Sequence, residues 1–141
     1  SMSTVTENTP TSGVFFNEDG YVEMRFVGII RATELRRLLY EMNQLVDVYG
    51  PIGVLLDGRS GRLNHDAGTL ITLSETQTTS HLTHMVVLTH VSGTRRDAIV
   101  KNPKGIVPQV SAQALGVPLV YMSNEDEARR WAASGNRHVR A

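Results

Sequence analysis

The chain has 141 residues, 40% of them hydrophobic and 20% charged, with zero formal net charge and no cysteine. That length and apolar content suit one compact domain with a single core. The composition excludes a disulfide framework, a thiolate nucleophile and a cysteine-ligated metal, and the balanced charge gives no bulk pull toward nucleic acid or anionic lipid.

The opening SMSTVTENTPTSG is Ser/Thr-rich. It lacks the basic-then-apolar pattern of a signal peptide, and Ser1 ahead of Met2 reads as a tag scar. Residues 1–12 are expected to form a loose arm, and residues 135–141 a loose tail, around a domain spanning 13–134. No apolar run approaches the ~20 residues that cross a bilayer. With the lack of cysteine, this fits a cytoplasmic location.

Val14–Asn17 and Tyr21–Val27 read as a β-hairpin around the turn residues Glu18-Asp19-Gly20. The second segment alternates, with Val22, Met24 and Phe26 on one side and Tyr21, Glu23 and Arg25 on the other. That is the period of a half-buried strand. From Ala32 the period becomes helical. Leu35, Leu38, Leu39, Met42, Leu45, Val46 and Tyr49 share a stripe, Thr33 is the expected N-cap, and Gly50-Pro51 stops the helix.

Ile52–Leu56 is short and apolar on both faces, as in a parallel strand covered on each side. Asp57–Asp66 is expected to be a polar loop. Ala67–Ser80 follows as a Thr-rich helix capped by Asp66, then a strand over Met85–Val91. Short helices are expected over Thr94–Val100 and Val110–Leu115. A last strand at Leu119–Met122 precedes a helix capped by Asn124, with Ala128, Trp131 and Ala132 facing inward and Arg129 and Arg130 facing solvent. The order ββαβαβ(α)αβα argues an α/β fold: a mixed, largely parallel sheet with an N-terminal hairpin and flanking helices.

These elements together resemble the SpoIIAA-like branch of the STAS superfamily. The resemblance rests on Val27-Gly28, the amphipathic helix after it, VLLDG ending at Asp57, MVVL, and the closing NEDEARRWA from Asn124 to Ala132. It implies a STAS-type single domain and a regulatory, protein-binding role. Anti-anti-sigma factors of the superfamily carry a D-S-S-G-type loop whose serine is phosphorylated. Here the stretch is His65-Asp66-Ala67-Gly68-Thr69, and Ala67 at the acceptor position cannot take a phosphoryl group. The switch, which works by adding roughly −1.5 to −2 charge, is therefore not expected.

The candidate binding residues are Asp57, Arg59, Ser60, His65, Asp66 and Thr69, beyond the carboxyl end of a central strand, where open α/β sheets collect ligands. Each also has a structural use: Asp57 can bond loop amides and Asp66 can cap a helix. A phospho-aspartate receiver would need an acidic cluster for Mg²⁺, and Phe26-Val27-Gly28 offers none. Ser60 with His65 or His90 and Asp57 has the residue types of a triad, but Gly58-Arg59-Ser60-Gly61 is not a nucleophile elbow. It is not a phosphate-binding loop either. His81, His84 and His90 fall short of a zinc set.

Arg95, Arg96, Lys101 and Lys104 form a local cationic group. No catalytic residue, metal or cofactor is assigned. The leading expectation is a non-enzymatic interaction module that binds a protein partner through Asp57–Thr69 and the following helix. A binder of an apolar or nucleotide-like small molecule is the alternative, and a small hydrolase ranks last. Self-association through an unpaired hairpin edge is also expected.

Overall fold

The structure is a computed structural model that describes residues 10–90 and 116–134. Two expected helices, Thr94–Val100 and Val110–Leu115, and the four-cation group lie outside the described residues, as do residues 1–9 and the tail. The described chain is a single α/β domain. In order it contains β1 (Gly13–Asn17), β2 (Tyr21–Ile30), α1 (Ala32–Tyr49), β3 (Ile52–Leu63), α2 (Ala67–Glu75), β4 (Leu82–Leu88), β5 (Leu119–Met122) and α3 (Glu125–Ala133). The sheet runs β1-β2-β3-β4-β5. β1 is antiparallel to β2, and every other neighbouring pair is parallel.

α1 forms where the sequence places it, and its stripe of Leu35, Leu38, Leu39, Met42 and Val46 is buried. Its cap differs from expectation. The helix starts directly after β2, so Arg31 occupies the N-cap position without a side-chain bond and Thr33 lies inside the first turn. Tyr49 leaves the buried stripe and stacks on Phe16 of β1, with ring centroids 3.9 Å apart. α2 ends at Glu75, five residues before the expected Ser80. Its run of Thr and Ser favours extended backbone once the buried positions Thr69, Thr72 and Leu73 have been used.

α1 and α2 cover one face of the sheet, over Val22, Met24, Phe26, Val54 and Met85. α3 covers the other, packing Ala128 and Ala132 against Tyr21, Leu55, Val86 and Leu88. β2 is therefore not half-buried. Tyr21 and Glu23, expected on an outer face, are 0% and 1% exposed. The arm is also anchored at its end, because the Val27 N–H donates to Ser12 Oγ at 2.8 Å.

β3 is longer than its sequence suggests. Asp57–Asp66 is not a loop up to its end, since the strand runs on to Leu63. β2 is likewise longer than expected and reaches Ile30. The two strands pair as far as Ile30↔Leu63, although β4 stops at Leu88↔Asp57. They project beyond the rest of the sheet as a two-stranded parallel ribbon. Between Arg25↔Asp57 and Val27↔Ser60, β2 advances two residues while β3 advances three. That is a bulge, and it reverses which residues face which side. Asp57 points toward the α3 side, whereas Leu63 packs into the core under α1. No unbroken alternation survives in DGRSGRL, so the segment does not look like a strand.

The bulge brings two backbones unusually close. A Cβ at Gly61 would lie 2.6 Å from the Phe26 carbonyl carbon and 2.7 Å from Gly28 O. Gly28 itself has φ +72°, a conformation that disfavours any side chain. Gly61→Ala is expected to lower unfolding stability by about 1–3 kcal/mol through forced separation of the strands. Gly13→Ala, with nothing within 4 Å of its added carbon, should stay within about 0.5 kcal/mol. Chemical denaturation measures both, and equal midpoints for the two variants would contradict the close approach.

Candidate functional site

Asp57 ends the regular part of β3 and is only 6% exposed. Three N–H groups of Arg59 are donated to its carboxylate: the backbone amide at 3.1 Å, Nε at 3.0 Å and Nη2 at 2.9 Å. The guanidinium holds the Asp57 carboxyl below the ordinary aspartate range, against an opposing push from burial. Arg59 Nη1 also donates to Glu125 Oε1 on α3 at 2.8 Å. Its own pKa is raised, first by Asp57.

The contacts continue inward. Glu125 Oε2 accepts from Arg129 Nε at 2.9 Å. Arg129 Nη1 donates to the buried Glu23 Oε1 and to the Tyr21 hydroxyl, each at 2.8 Å. Arg25 Nη2 reaches the other Glu23 oxygen at 3.4 Å. Asp57, Arg59, Glu125, Arg129, Glu23 and Arg25 thus form one chain of three carboxylates and three guanidiniums across the α3 face. Arg129 was expected to face solvent. It turns inward because Glu23 lies in the middle of the sheet and needs a counter-charge. The signal for this in the sequence is a glutamate between apolar residues of a central strand. The sequence gives no hint of which arginine answers it.

His84 forms the second anchor of α3. It lies inside β4 and is fully buried. Its Nε2 is 3.0 Å from the carbonyl oxygens of both Trp131 and Ala132. Carbonyls only accept, so Nε2 carries a proton and donates to the last turn of the helix. Gly53 provides the room, since a Cβ there would sit 2.0 Å from the ring. Trp131 is only partly buried and meets the His84 ring edge-on, with centroids 4.5 Å apart. Ala128 and Ala132 are the buried residues of the helix, and Trp131 packs against their cluster from its rim.

The other candidate residues divide. Asp66 caps α2 by accepting from the Thr69 N–H at 2.7 Å, which lowers its pKa. Asn64 donates to its second oxygen. Thr69 has a fully buried side chain and, like Asp57, does not form part of an outer surface, contrary to its assignment as a contact residue. Ser60 and His65 are exposed. Among the described residues, no hydrogen bond joins Ser60, His65 or His90 to Asp57. His81 Nδ1 faces Asp47 Oδ1 at 3.3 Å. No group of three His, Cys, Asp or Glu among the described residues is placed to hold a metal ion, and no helix there is long and apolar enough to cross a membrane.

The structure also shows residues the sequence did not single out. Gly28, Ile29, Gly58 and Arg62 join Arg59, Ser60 and Gly61 around an open depression of about 540 Å³ on the ribbon. Comparison with family models, curated proteins and solved structures finds no match for this chain.

Two outcomes follow from the ion-pair chain. Arg129→Met leaves Glu23 buried without its close partner and is expected to cost about 3–5 kcal/mol. Adding Glu23→Leu should recover most of that loss in denaturant titrations, and a double variant no better than Arg129→Met would contradict the pairing. Asp57 and Glu125 both have lowered folded-state pKa values, the latter chiefly through Arg129. Their ionised forms therefore stabilise the fold above the unfolded pKa, about 4. This contribution falls away as pH drops through the folded values. Stability measured from pH 6 downward should decline, and Arg59→Gln should flatten the decline. An unchanged slope in that variant would assign the acid sensitivity elsewhere.

Proposed function

We propose that the protein is a non-enzymatic interaction module of the STAS/SpoIIAA-like kind, acting in the cytoplasm on a protein partner. The contact surface is the turn after β3 and the outer side of α2. The observation that carries this reading is how the Asp57–Thr69 segment is divided. Its residues with catalytic potential, Asp57 and Arg59, are taken up by each other and by Glu125. An aspartate held by three N–H donors is a poor general base or nucleophile. The outer residues His65, Ala67 and Gly68 are exposed, and Ile71 is 53% exposed on the same helix. In this reading Ile71 is the apolar residue that the partner covers.

The mixed sheet with its antiparallel first strand, and the helix following β3, support the resemblance that motivates this reading. Ala67 is the first residue of α2 and is exposed. By that resemblance a phospho-acceptor would stand there, so the contact made by this chain is constitutive. Affinity capture from a lysate of the source organism provides the test. Ile71→Glu and Ala67→Glu are expected to lose a partner that the wild type and the hairpin-turn variant Glu18→Lys retain. The same captured proteins in all four samples would overturn this surface.

A further inference from the structure

We propose that the depression on the β2–β3 ribbon is a binding site for small organic monocarboxylates. This goes beyond the partner-binding reading and uses the opposite side of the sheet. Ile30 and Leu63 pair with each other and pack toward α1. The neighbouring pair Ile29↔Arg62 therefore points the other way, toward the side carrying α3.

The depression lies on the projecting end of two neighbouring inner strands, where Gly28, Gly58 and Gly61 add no side chain to its lining. Gly28 and Gly61 are each required by the backbone, one by its φ of +72° and the other by its contact with β2. The resulting depression, about 540 Å³, falls in the size range of small-molecule sites.

The charge defines the ligand. Arg59 lines the depression, but it is matched by Asp57 and Glu125 within a chain that balances three carboxylates against three guanidiniums. Arg62 also lines it, is exposed, and forms no ion pair or hydrogen bond among the described residues. One unmatched guanidinium offers a fork for one carboxylate, which it binds through two parallel N–H donors. Three of the five Arg59 N–H groups are used by Asp57 and Glu125, so two remain. The Ser60 hydroxyl is likewise unbonded among the described residues. Ile29, 42% exposed, supplies an apolar wall for a compact body. Among the described residues lining the depression, Arg62 is the one uncompensated positive charge, which matches a monoanion better than a phosphate dianion.

The test is amide-resolved NMR titration of the full chain with sodium benzoate, using benzamide as the neutral isostere and inorganic phosphate as the dianion. Benzoate is expected to shift the Gly28, Gly58 and Ser60 amides saturably, while benzamide does not. Arg62→Gln, at an exposed position that leaves the core intact, should weaken benzoate by about tenfold, the loss of one charge-assisted pair. Equal shifts with benzamide would overturn the proposal, as would undiminished benzoate binding in Arg62→Gln or tighter binding of phosphate at the same amides. None of these results depends on whether α2 contacts a partner, so the two readings succeed or fail separately.

Discussion

One buried charge governs how this domain is closed. Glu23 sits in the second strand of a five-stranded sheet with 1% of its surface exposed. A carboxylate in that position destabilises the fold unless a cation and hydrogen-bond donors reach it. Arg129 reaches it from the last helix, and the same guanidinium binds the Tyr21 hydroxyl and Glu125. The helix is thus placed by an ionic requirement of the sheet as well as by Ala128 and Ala132. His84 adds a second polar anchor at the other end of the helix. α3 has only nine residues, so its apolar contact alone is small. Its position is specified by two polar anchors with defined geometry.

The consequences run outward from Glu23 to the surface. Because Arg129 holds Glu125, and Glu125 holds Arg59, the Asp57 carboxylate at the end of β3 is drawn into the same chain. Residues whose types suggest chemistry are in this way committed to holding two elements together. What remains accessible beyond β3 is of another kind: an exposed helix face with Ile71, and a glycine-floored depression with Arg62. The two lie on opposite sides of the sheet.

Much of the architecture is legible in the residues themselves. The 3.6-residue stripe from Leu35 to Val46 identifies α1, and Asp66 and Asn124 both cap the helices they precede. Each of these signals is local: a periodicity, a capping side chain, a breaker. The extension of β3 is not legible, because a bulge interrupts its alternation and its two glycines, Gly58 and Gly61, read as a loop. Glycine there serves the approach of two backbones, and only the neighbouring strand reveals that need.

The sequence by itself determined the class of fold, the order of the described elements and the faces of its first helix, since these follow from nearest neighbours along the chain. It also determined that Ala67 offers no hydroxyl. The tertiary structure decided which side chains are spent and which are free. Arg129 and Arg62 look alike in the sequence. One is turned inward by Glu23, which lies 106 residues away along the chain, and the other stands on the ribbon without an ion-pair partner among the described residues. Charge pairing depends on distance in space, and that distance exists only once the strands have been laid side by side.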